Sequence, residues 1–212
     1  MNRAKLDDLV DAVKHAERGS VAEIVEARSA LVEAYPDAEE SAEAAYKLGL
    51  HHLFHGRDLP IAVRCFEQAV AVKASYWSDA ARTSLGLCYY HQGEHAKALL
   101  ELRRVGYAVD VSAHSVTAMA FLENILETGG QHDEAVRVRK DRMHQLRKLI
   151  HTAELEGNGS EQGFYLYQLA ISLLDQGDEE KAEQIIDQAL DLGKEVLGAE
   201  LQKNLEALQD DL

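Results

Sequence analysis

Apolar positions along the chain recur at the three- and four-residue intervals of an α-helix, and short polar elbows containing glycine interrupt the runs. In KLGLHHLFHG followed by RDLPIAVRCFEQAV, Leu48, Leu53 and Phe54 precede an elbow at Gly56, while Ile61, Phe66 and Val70 follow it. In SLGLCYYHQGEHAKALLEL and LAISLLDQGDEEKAEQIIDQAL an acidic residue comes directly after the glycine, where it favours a new helix start through the helix dipole. Glycine stops the first helix of each pair and the second begins at once, so every such segment predicts an αα-hairpin.

The elbows are regularly placed. Gly19, Gly56, Gly93 and Gly130 are separated by 56 − 19 = 37, 93 − 56 = 37 and 130 − 93 = 37 residues, and Gly177 follows after 177 − 130 = 47. A period of this size is the mark of stacked repeats. The longer interval is taken up by DEAVRVRKDRMHQLRKLIHTAEL, which reads as an extended second helix, and by EGNGS at 156–160, which reads as a flexible turn and a boundary between 1–155 and 156–212.

Within one unit, Leu85, Gly86, Tyr89, Gly93, Ala98 and Leu102 stand at the spacing of a known signature, and the chain here resembles the tetratricopeptide repeat family. Leu48, Gly49, Gly56, Ala62, Phe66 and Ala69 repeat the match with one extra residue near Pro60, and Leu169, Ala170, Gly177, Ala182, Ile186 and Ala189 repeat it again. Around Gly130 the pattern departs: Glu123 holds the place of a small residue, and Arg139 and Arg142 stand where the second helix should be apolar. Around Gly19 only Leu31 and Pro36 carry a likeness. The resemblance implies an all-α fold, an α-solenoid of about five helical hairpins forming one continuous superhelix. GKEVLGAELQKNLEALQDDL, with Val196, Leu197, Leu201, Leu205 and Leu208 on one stripe, reads as its C-terminal capping helix.

The resemblance further implies that first helices line a concave groove. Its peptide-binding positions would be Tyr46, Leu50, Leu53, Phe54, Thr83, Leu87, Tyr90, His91, Asn124, Tyr167 and Ile171, flanked by Glu43, Lys47, Ala120, Glu127 and Phe164. The Lys, Arg and Asn set with which some members clamp a peptide carboxylate is missing apart from Lys47 and Asn124. An apolar, tyrosine-rich trough remains, suited to a peptide or helix with Leu, Phe or Tyr anchors. The same side chains could instead be covered by a neighbouring helix or by self-association.

Composition narrows the partner. The 212 residues carry a formal charge of −15, which repels nucleic acid and anionic membranes, and no run approaches the ~20 apolar residues that span a bilayer. Cys65 and Cys88 lie inside apolar runs without ligand spacing, as expected of core thiols in a cytoplasmic protein. His51, His52 and His55, with His91 and His95 at the next elbow, have no carboxylate or cysteine set at metal-ligand spacing beside them; they read as turn histidines, with no metal or other cofactor expected. No nucleophile elbow, zinc-protease helix or phosphate loop occurs, so no enzyme is expected. In RVRKDRMHQLRK six cations accompany one acid, Asp141; attraction to the acidic tail in the same or another copy, a solvated helix face and an acidic partner are all open readings. The function expected is a protein-binding adaptor or scaffold, with a small acidic secretion-type chaperone or a peptide-sensing regulator as alternatives, and with homo-oligomerisation open.

Overall fold

Helix-favouring composition, caps and αL turns together yield an all-helical chain. The computed structural model describes residues 3–72, 75–210 and 212, and no strand occurs among them. Helices α1 (Arg3–Ala16) and α2 (Val21–Ala34) pair, as do α3 (Glu39–His51) with α4 (Leu59–Ala71) and α5 (Ser78–His91) with α6 (His95–Gly106). They are followed by α7 (Ala113–Thr128) paired with α8 (His132–Leu155), α9 (Gly159–Leu174) paired with α10 (Glu179–Leu190), the single turn α11 (Lys194–Leu197) and α12 (Ala199–Asp210). This is the expected α-solenoid of five hairpins with a C-terminal cap. No described helix is long and apolar enough to cross a membrane.

The chain divides into two compact units, residues 1–107 and 108–212, each with its own core. In the first unit Leu6, Leu31, Leu48, Phe66, Leu85 and Cys88 are buried together. Burial pushes the Cys65 thiol up and the Cys88 thiol to about 11, so both cysteines behave as small apolar residues. The second core gathers Leu146, Leu166, Leu169, Ile186 and Leu205. EGNGS lies inside this unit and forms a closed turn: Asn158 donates its N–H to the Ala153 carbonyl at 2.8 Å, and its side chain caps α9 by accepting from Glu161 N–H at 3.3 Å.

Small residues sit where hairpin helices cross. A Cβ on Gly49 would stand 2.5 Å from Phe66 Cε1, and one on Gly86 would stand 2.8 Å from Leu102 Cγ, so each glycine gives its space to a large side chain on the paired helix. Ala170 and Ile186, both fully buried, occupy the corresponding places in the last hairpin.

Equal glycine spacing does not mean equal turns. Gly93, Gly130 and Gly177 adopt φ of 77°, 75° and 74° and close the first helix with an N–H to carbonyl bond across five residues, such as Glu94 to Tyr89 at 2.8 Å. At the Gly56 elbow the extra residue near Pro60 is absorbed differently: α3 widens into a π turn, His52–Gly56, and Arg57 takes the left-handed conformation at φ 50°. Asp58 then caps α4 by accepting from Ile61 N–H at 3.1 Å. Gly19 precedes a capping box in which Ser20 and Glu23 satisfy each other's backbone N–H groups, and those bonds hold the Glu23 carboxyl below its usual range. The tail differs from the single helix its stripe predicted. Gly198 at φ 78° breaks it into α11 and α12, leaving Val196 exposed while Leu197 and Leu205 are buried.

Candidate interaction surfaces

In the first unit, α3 and α5 present the expected first-helix positions. Tyr46, Leu50 and Leu53 are half-buried against the core, and Tyr46 stacks on Trp77 at 5.5 Å between ring centres while tilting against Phe66 at 6.0 Å. Tyr76, 74% exposed, meets Trp77 edge-on at 5.4 Å. Glu39 fixes this loop on the start of α3 by accepting from Ser75 Oγ and Tyr76 N–H at 3.1 and 3.0 Å. The aromatic row Phe66, Tyr46, Trp77, Tyr76 therefore runs from the core to solvent; its outer half was missed because Tyr76 and Trp77 lie before α5 and outside the helical period.

The other positions on these helices are placed unequally. Leu87 and Tyr90 are half-buried and His91 is exposed, with Tyr90 lying 5.8 and 5.4 Å from the rings of His91 and His95. Thr83 is buried and spends its hydroxyl on the Asp79 carbonyl at 2.9 Å, so it offers no surface. Phe54 has left the first-helix face: the π turn projects it outward, 68% exposed. His51 lies 5.4 and 5.6 Å from His52 and His55; burial, these two neighbours and Arg28 hold its imidazole below the usual range. Among the described residues no three His, Cys, Asp or Glu side chains converge as metal ligands would. Glu43 and Lys47, ion-paired at 2.6 Å, line a cavity of about 170 Å³ between α1, α2 and α3, over Val10, Val13 and Leu31.

In the second unit, the expected positions separate into two pockets. Ala120, Asn124, Glu127 and Ile171 share one of about 430 Å³ between α7 and α9, with Glu123, Arg139, Arg142 and Asp175 completing its wall. The departures from the repeat pattern are partners here. Buried Glu123 accepts from Arg139 Nε at 2.5 Å through one oxygen, and from Arg142 Nε and Nη2 at 3.1 and 2.8 Å through the other. Glu123 and Arg139 are 139 − 123 = 16 residues apart, as are Gly86 and Leu102, 102 − 86 = 16. One place in the repeat thus holds a small-large apolar pair in one hairpin and an ion pair in another. That shared spacing was the signal in the sequence that could have found the pair.

Tyr167 belongs to the other pocket, about 590 Å³ between α9 and the α11–α12 cap. Phe164, Tyr167, Leu197 and Leu201 make its apolar surface, Glu161 and Glu200 line it, and no lysine or arginine does among the described residues. Phe164 is 46% exposed, a large apolar side chain left in solvent beside Tyr167.

Two segments match sequence models described as tetratricopeptide repeat, residues 46–106 and 165–200. No curated protein sequence matches the chain. Among solved structures, a kinesin-light-chain-like protein from Podosopora anserina with nearly identical TPR-like repeats superposes with a TM-score of 0.57 at 16% identity, covering 94% of this chain and 99% of that one. BtubC from P. vanneervenii gives 0.58 at 15% identity over 95% and 83%, and MamA gives 0.51 at 17% over 90% and 92%. At these identities the likeness is one of fold.

Proposed function

The chain is a tetratricopeptide-repeat protein, a fold that serves as a scaffold for protein interaction, and on that premise we propose that it is a non-catalytic adaptor holding a partner's peptide or helix along its first-helix faces. The observation that carries the reading is the α9–α12 pocket: apolar surface from Phe164, Tyr167, Leu197 and Leu201, whose charged border, among the described residues, consists only of acids. From Glu156 to Leu212 the sequence holds 14 acids and 3 lysines, a balance of 3 − 14 = −11 out of −15 for the whole chain. The occupant that fits is a segment with an aromatic or aliphatic anchor flanked by lysine or arginine. In the first unit, Tyr46, Leu50, Leu53, Leu87, Tyr90 and the added Trp77 and Tyr76 supply the corresponding apolar contacts.

A labelled peptide of one Phe and one Leu between lysine pairs tests this by fluorescence anisotropy on the full chain. The reading expects binding that Leu201→Glu or Phe164→Ala weakens by about tenfold, with an acid-flanked version of the peptide failing to bind. Equal binding to the variants, or equal binding of the acidic peptide, would sink it.

A further inference from the structure

One helix opposes the charge of the whole molecule. On α8, Ala135, Val138, Met143, Leu146, Ile150 and Ala153 are buried, and the opposite face exposes Arg137, Lys140, Asp141, His144, Arg147, Lys148 and His151. Arg139 and Arg142 do not belong to this face, because both are held by Glu123. Arg137 Nε donates to the Asp133 carbonyl of its own helix at 3.2 Å. The exposed face is therefore a stripe of four permanent cations with one acid, Asp141, among them, a net positive face in a protein of charge −15.

A stripe of opposite sign lies on α10 and its C-cap: the buried side is Ala182, Ile186 and Ala189, and the outer face exposes Glu180, Glu183, Asp187, which also accepts from Gln209 Nε2 at 2.7 Å, and the capping Asp191. The two stripes share a register. Arg137, Lys140, His144 and Lys148 are spaced by three, four and four residues, and so are the four acids. Both faces run 148 − 137 = 191 − 180 = 11 residues, about 16 Å of helix, so Arg137, Lys140 and Lys148 can each meet an acid when the helices lie side by side.

We propose that the exposed face of α8 docks on the outer face of α10 of a second copy of this chain, so that the protein self-associates through matched charge. The two faces belong to the same unit, so a two-fold pair uses the contact twice and closes as a dimer. Val136, 39% exposed and one turn from Lys140, adds apolar area beside the stripe. The surface is separate from the α9–α12 pocket, and the two readings stand or fall independently.

Sedimentation of the full chain at about 100 μM tests the pairing. It should be dimeric at about 50 mM salt, with the dimer weakened by about tenfold at about 500 mM as screening shortens the reach of the charges. Replacing Arg137, Lys140, Arg147 and Lys148 by Glu should give a monomer, as should the separate variant Glu180→Lys, Glu183→Lys, Asp191→Lys; mixing the two should restore a one-to-one pair. All seven side chains are exposed, and far-ultraviolet circular dichroism verifies folding. If either variant fails to fold, the salt response of the natural chain decides. A monomer at low salt, a dimer indifferent to salt or to the reversals, or reversed variants that do not recombine would each overturn the proposal. So would a monomer whose α8 face binds polyglutamate, since its partner would then be another acidic molecule.

Discussion

At the place where Gly86 meets Leu102, the hairpin α5–α6 of the first unit solves a packing problem that the hairpin α7–α8 of the second solves with opposite chemistry at the corresponding place. In α5–α6, Gly86 makes room for Leu102 and the contact is apolar. In α7–α8 the corresponding places hold Glu123 and Arg139, and Arg142 closes the cluster from the next turn. Dispersion and burial can be traded one methylene at a time, whereas a buried carboxylate between two guanidinium groups is satisfied only when all members are present. The first arrangement should yield gradually to mutation and the second abruptly.

The sharpest way to break that contrast is Glu123→Ala. It leaves Arg142, 8% exposed, without its counter-charge and should cost about 3–5 kcal/mol in chemical denaturation. Replacing the whole cluster, with Glu123→Ala, Arg139→Ile and Arg142→Leu, copies the Ala170–Ile186 pair of the last hairpin and should recover most of the loss. A triple variant as unstable as Glu123→Ala alone would show that the places are not equivalent. On the apolar side, Gly49→Ala and Gly86→Ala should each cost about 1–3 kcal/mol, and shortening the opposing side chain, as in Phe66→Leu with Gly49→Ala, should return part of it.

The elbows extend the comparison at lower energies. Gly93→Ala places a side chain at φ 77° with nothing within 4 Å of the new Cβ, so its cost of about 1–2 kcal/mol is purely conformational. Gly56→Ala, outside the left-handed region, should cost clearly less when measured by the same thermal melt. Arg57→Gly, which gives the strained position its preferred residue, should stabilise by a few tenths of a kcal/mol to about 1. Equal effects at Gly56 and Gly93 would contradict the π turn.

These differences mark how far the sequence could be read. Helical period, elbow glycines and the small residues Gly49, Gly86 and Ala170 disclosed the hairpins, because each acts locally or at a fixed spacing. Gly56 misled in detail: a glycine at the expected place says that the chain turns, but the conformation of Arg57 depends on how one extra residue is absorbed. Glu123, Arg139 and Arg142 read separately as lapses in a pattern, and only their meeting in space makes them a unit. The surface residues were legible in part. Asn124 and Ile171 do share a pocket, yet Tyr167 turns toward the cap, Thr83 is buried and Phe54 is thrown outward. Side-chain period specifies a helix face, while its cover depends on neighbours distant in sequence, such as Trp77 over Tyr46.

The adaptor reading is tested most directly by amide hydrogen exchange on the full chain, alone and with the lysine-flanked peptide. The account predicts added protection on the first helices, centred on Phe164, Tyr167 and the α12 residues around Leu201. Protection confined to the outer faces of the second helices α4, α6, α8 and α10, or none at all with peptide bound, would contradict it.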